Sequence, residues 1–210
     1  MGRYTGPKCR QCRREGIKLM LRGSRCETAK CPMERQHRGY PPGVHNWRRA
    51  RGSEYRLRLR EKQKVKRYYG VYERQFRKYF REAERVKGNT GATLLRMLER
   101  RLDNVVYKLG LASSRAAARV AIGHGHFSVN GRRVNIASYL TSVGDRVTVK
   151  DSDRSRKMIR ASMEELGEPH VQNWLKLEPA KLEAEVVAMP TREDVMIPVE
   201  ENLIVELCSQ

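Results

Sequence analysis

The sequence predicts an α+β protein in three parts: a metal-bound four-cysteine N-terminal extension, a helical domain, and a small helix–strand module. Three observations predict this. Cys9, Cys12, Cys26 and Cys31 follow the spacing C-x2-C-x13-C-x4-C, which can close a tetrathiolate around one ion. Apolar residues then recur at helical spacing as far as Leu109. Beyond them Phe127 and Val129 alternate into Asn130-Gly131, the strongest two-residue hairpin signal.

Residues 1–45 are expected to form the extension, closed by the rigid turn Tyr40-Pro41-Pro42-Gly43. They hold little apolar content, so their order should depend on the metal. Four thiolates leave no open coordination position, which marks the ion as structural. Zn2+ is the expected ion. Cys31-Pro32 keeps an iron–sulfur cluster on the same four cysteines as the alternative. Disulfides are disfavoured in a reducing compartment.

Residues 46–97 are expected to form the helical domain, completed by the C-terminal segment 187–210. Ser53 suits an N-cap and Gly70 a helix end. Leu57, Val65 and Tyr68 share one face of that helix. A second helix spans about Glu73 to Arg85, with Phe76, Tyr79 and Phe80 as core at i, i+3 and i+4. Lys87-Gly88-Asn89-Thr90-Gly91 reads as a hinge. Leu94, Leu98, Leu102, Val105, Val106 and Leu109 then make an amphipathic stripe of one helix or two, stopped by Gly110.

The module spans 98–163. Ser113 or Ser114 caps a helix to Ile122, and Arg115 and Arg119 sit one turn apart on it. Phe127 and Val129 form a strand, and Arg132, Arg133 and Val134 begin its return. Val147 and Val149 form a further strand, and 153–166 a helix. Residues 164–186 read as connecting strands and turns, and Glu200 to Leu207 as a closing helix.

The formal net charge is +20, from 44 Lys+Arg against 24 Asp+Glu. Residues 1–163 carry 41 basic and 13 acidic residues, a net +28; residues 164–210 carry 3 and 11, a net −8. Charge so concentrated calls for a polyanion, and a phosphate polymer is the obvious one. Arg56, Arg60, Lys64 and Arg67 fall on one helical face, with Arg48 and Arg49 upstream. Arg115, Arg119, Arg132 and Arg133 are expected to line a second face, where the Asn130-Gly131 turn brings its backbone close to a partner.

Other classes fit less well. No Ser-His-Asp, carboxylate-pair or phosphate-loop arrangement stands out, so no enzyme and no small-molecule substrate are expected. His124-Gly125-His126 reads as a loop beside the strand. A zinc-dependent DNA regulator would need a two-Cys two-His finger or a dimerising heptad. No signal peptide and no apolar run near 18 residues are visible, which predicts a cytosolic protein without membrane association.

Arg101-Leu102-Asp103, Gly110-Leu111, Ser114-Arg115 and the run from Gly125 to Val134 resemble the S-four RNA-binding motif family. Arg3-Tyr4-Thr5-Gly6-Pro7, the four cysteines, Tyr40-Pro41-Pro42-Gly43, Glu61-Lys62-Gln63-Lys64 and the run from Leu98 to Tyr107 extend the resemblance nearly end to end. Over that length the chain resembles the bacterial small-subunit ribosomal proteins for which the motif is named. The resemblance implies a primary binder of 16S ribosomal RNA that attaches in its 5′ domain, nucleates assembly of the subunit body and contributes to translational accuracy. It also implies ribosomal proteins S-five and S-twelve as partners and a place near the channel where messenger RNA enters. Arg101, Ser114, Asn130 and Gly131 join the RNA-contact candidates through it.

Overall fold

The computed structural model describes residues 2, 4–35, 37–44, 52–167 and 171–209. The chain divides into two compact units. Among the described residues, no helix is long and apolar enough to cross a membrane.

The first unit comprises residues 1–94 and 196–210. Helix α1 (Cys9–Glu15) is followed by a single 3-10 turn at Gly23–Cys26, then α2 (Glu54–Tyr69) and α3 (Glu73–Arg85). Ser53 caps α2 by accepting a hydrogen bond from the Arg56 N–H, and Gly70 ends it with a positive φ of 64°. Phe76, Tyr79 and Phe80 are buried as expected. So are Val65 and Tyr68, whereas Leu57, on the first turn of α2, is exposed. The closing helix α8 (Glu201–Cys208) packs along α2, and Arg58 pairs with its Glu206 at 2.7 Å.

The extension is not set apart from the helices. The Glu15 side chain is fully buried, pairs with Arg60 at 3.3 Å and also pairs with Arg67. Arg13 and Arg14 donate to the Tyr40 and Pro42 carbonyls at 3.3 and 3.0 Å, which ties the Pro-Pro turn to α1. Lys8 donates to the Leu21 carbonyl at 3.1 Å, and Leu19 is fully buried. Residues 1–45 therefore have a source of order that the sequence reading did not give them.

The second unit spans residues 95–195. The leucine stripe is two helices, α4 (Thr90–Glu99) and α5 (Leu102–Lys108), because Arg101 takes an extended conformation between them. Helix α6 (Arg115–Gly123) follows, then β1 (Phe127–Val129), β2 (Arg132–Arg133), β3 (Arg146–Val149), α7 (Asp153–Leu166), β4 (Leu175–Glu178) and β5 (Glu183–Val186). All five strands form one antiparallel sheet in the order β2-β1-β3-β5-β4. The strands expected as a connection over 164–186 thus complete the module's own sheet, through the pairing of Val147 with Ala184. The segment that returns to the first unit starts at Met196 rather than 187. One core joins α5, α6, the sheet and α7, through Val105, Val106, Ile122, Phe127, Val147, Ile159 and Trp174.

Candidate nucleic-acid interface

The Asn130-Gly131 hairpin is an exposed basic feature of the second unit. Asn130 has φ 51° and Gly131 φ 75°, the pair of left-handed conformations a two-residue turn requires. The Asn130 side chain is fixed on both sides, donating to Asp145 at 2.8 Å and accepting from the Arg146 N–H at 2.9 Å. Its role is to hold the turn against β3. Arg132 and Arg133 lie just beyond, exposed, with Val129 facing Arg132 and Ser128 facing Arg133 in the ladder. Arg133 lies over the backbone of Gly125 (φ +74°), where an added Cβ would come within 2.2 Å of the guanidinium. Glycine is therefore needed at 125 for Arg133 to sit as it does.

Three residues expected at this face are interior instead. Arg101 is fully buried and bonds bidentately to Asp103, at 3.0 and 2.6 Å. A charge so enclosed needs its partner and cannot also reach a polymer outside. Ser114 is buried because its hydroxyl caps α6, accepting from the Ala117 N–H at 3.2 Å. Arg115 is 6% exposed; its Nε donates to Asn104 at 2.8 Å and its guanidinium stacks 4.5 Å above the Tyr107 ring. Asn104 in turn donates to the Glu99 carboxylate at 2.6 Å. Burial pushes the pKa of Lys108 down within this network, 4.0 Å from Glu99. Arg119 is half-buried, with one guanidinium nitrogen 4.0 Å from Asp103. The S-four-like signature here mixes buried scaffold residues with exposed ones.

On the first unit, Arg56 is exposed on the first turn of α2. Arg60 and Arg67 hold Glu15, while Lys64 donates to Glu61 and to the Pro198 carbonyl at 3.2 Å. The four share a face, and Arg60, Lys64 and Arg67 are engaged in the ion pairs and hydrogen bonds just named. Arg48 and Arg49 lie outside the described residues. The sequence reading overlooked a second basic row on α3, where Arg74, Lys78, Arg81 and Arg85 are all exposed. Their spacing of four, three and four residues is a helical stripe, visible in the sequence once the buried aromatics fix the opposite face.

Two backbone N–H groups point at the N-terminal cysteines: Arg22 donates to the Cys26 sulfur at 3.3 Å, and the Leu19 backbone bonds to Cys12. Burial raises the pKa of Cys12 and outweighs that backbone bond; the neighbouring Cys26, Cys9 and Cys31 raise it further. The donor set is that of a soft-metal site. Among the described residues, however, no group of three or more His, Cys, Asp or Glu side chains is arranged to hold a metal ion. A metal-bound extension is thus not supported by the arrangement of the side chains, and the extension's order has the Glu15, Arg13 and Arg14 contacts behind it.

Two family models match the chain in tandem: "Ribosomal protein S4/S9 N-terminal domain" over residues 3–99 and "S4 domain" over residues 100–147. The chain is 55% identical to a small ribosomal subunit protein uS4 from Halothermothrix orenii, with 100% of both chains covered. It is 53% identical to the uS4 protein of Caldicellulosiruptor saccharolyticus and 52% identical to that of Acetivibrio thermocellus, again with 100% of each chain covered.

Proposed function

The chain belongs to the small ribosomal subunit protein uS4 family, and from that premise we propose that it binds the 16S RNA of the small subunit as a structural, non-enzymatic constituent of the cytoplasmic ribosome. It attaches in the 5′ domain, nucleates assembly of the subunit body and contributes to translational accuracy. The observation that carries this reading is 55% identity with a uS4 protein across the full length of both, on a chain of net charge +20.

Recognition of a folded RNA is a matter of shape and phosphate. Arg132 and Arg133 project from a turn locked by Asn130, so they meet a phosphate chain with little ordering left to do. Each guanidinium can fork onto phosphate oxygens and release condensed counterions. The exposed row on α3, with Arg56 on α2, supplies a second set of charges. Joint replacement of Arg132 and Arg133 by Ala tests the assignment. If each meets one phosphate, the slope of log affinity against log salt should flatten by about 1.4 to 1.8. An unchanged slope contradicts it.

The reading extends to neighbours. Residues 164–210 carry a net −8, a balance that RNA repels and that suits basic protein partners such as ribosomal proteins S-five and S-twelve. By the same resemblance the protein lies near the channel through which messenger RNA enters.

Cys9, Cys12, Cys26 and Cys31 would hold a structural Zn2+, supported by the four-thiol donor set and the N–H groups aimed at two of the sulfurs. The ion would staple the extension and take no part in chemistry. Elemental analysis of protein purified under reducing conditions should find one zinc per chain. A visible absorption shoulder with stoichiometric iron would assign a cluster instead, and folded protein free of both would rule out a metal.

A further inference from the structure

A cavity of about 290 Å³ lies where the loop before β1 meets the start of α7. His124, Gly125, His126, Lys150, Ser152 and Arg154 line it, with Ser155 at its base. No carboxylate lines it. Arg133 reaches the same loop, 3.5 Å from the His124 carbonyl. Among the described residues, none of Lys150, Arg154 and Arg133 forms an ion pair with a carboxylate; Asp151 turns instead to Arg156, at 2.8 Å. The buried Ser155 hydroxyl holds the His126 Nδ1 at 2.9 Å, which fixes the ring. Burial lowers the pKa of His126, and His124, Arg154, Lys150 and Arg133 lower it further, in that order. Positive charge therefore converges on one ring, and no carboxylate is among the residues that line the cavity, Asp151 and Asp153 alternating with its lining residues in sequence.

We infer that this cavity seats a phosphodiester group of the RNA chain, gripped by Lys150 and Arg154 and backed by the two histidines. The inference rests on the RNA-binding reading and deepens it. Lys150, Ser152, Arg154 and Ser155 all fall beyond residues 100–147, the span matched by the S4 domain model, so the seat joins the motif to the helix that follows it. Three features favour a polymer phosphate. The cavity is larger than a lone phosphate ion needs and accommodates a stretch of sugar–phosphate chain. It opens beside Arg133, so a strand lying along Arg132 and Arg133 can reach it. Its cations sit on exposed positions, where they meet a ligand without the cost of burying charge first. The first turn of α7 adds N–H groups, since Ser152 makes no side-chain cap bond there.

The test is equilibrium binding of the full chain to 16S RNA across a salt series, for the wild type and for a variant carrying Lys150→Gln and Arg154→Gln. Both positions are exposed, so the fold should survive, and circular dichroism confirms this before binding is measured. Losing one phosphate contact should weaken binding roughly tenfold near 0.1 M salt and flatten the salt slope by about 0.7 to 0.9. A second measurement follows the His126 ring by NMR in the wild type: RNA should raise its pKa, and 2 mM inorganic phosphate alone should do so far less. An unchanged slope, or a His126 response to inorganic phosphate as large as to RNA, overturns the inference. If the wild type itself shows no preference for 16S RNA, the parent reading has failed. If that preference holds while the variant binds as the wild type does, the cavity serves something else, such as a carboxylate of a neighbouring protein.

Discussion

At the scale of single residues, exposure separates two uses of the same side chain. Arg132 and Arg133 are exposed on a locked turn, while Arg101 and Arg115, in the same module, are buried around Asp103 and Asn104. The alphabet hides this difference. Asp103 stands two residues from Arg101, a spacing that means little until the break between α4 and α5 folds the pair together. Replacing Arg101 by Ala should cost about 3–5 kcal/mol in chemical denaturation, because it strands the buried Asp103 carboxylate. The salt slope of RNA binding by the protein that remains folded should not change, which distinguishes a scaffold arginine from a contact arginine.

Glu73 offers a pH test at the same scale. Burial alone would raise its pKa, but hydrogen bonds from Lys66 at 2.6 Å and from Lys62 and Arg77 at 2.9 Å hold it at about 2. Its folded value lies below the ordinary value of 4.5, so its contribution to stability is full above that value and lost as pH falls from there toward 2. With 38% of the side chain exposed, solvent screening keeps that contribution small. NMR titration should place the Glu73 midpoint near 2; a midpoint above 4 would mean that the three cations do not hold it in solution.

At the scale of elements, local signals were legible and non-local ones were not. Ser53, Gly70 and the Asn130-Gly131 turn act within a few residues of themselves, and each does what its chemistry predicts. The expected bounds of α3 and α7 match, α3 around its buried Phe76, Tyr79, Phe80 and Ala83. By contrast, the pairing of β3 with β5 joins Val147 to Ala184, and nothing in either segment names the other. Glu15 reads as one more surface carboxylate until α1 lies against α2 and it meets Arg60 and Arg67. Ser114 shows how a motif residue can be legible in place and misread in role: its hydroxyl caps α6. Ser114→Ala should lower stability by about 1 kcal/mol in thermal melts. Its effect on RNA affinity should be no larger than that loss of stability explains.

At the scale of the whole molecule, charge was the most legible property and position the least. The division into +28 and −8 along the chain is read directly from the residues. Which basic residues remain exposed is decided by folding, which buries Arg101 and Arg115, draws Arg60 and Arg67 toward Glu15, and leaves the α3 row outside. Selective binding requires that the charges left exposed on each unit match the shape of one RNA. The most direct measurement is equilibrium binding of the full chain, in parallel and across a salt series, to 16S RNA and to an unrelated RNA of equal length. Binding to 16S RNA should be tighter at every salt concentration, with a preference that persists as salt weakens both. Equal affinity for the two RNAs throughout would contradict it.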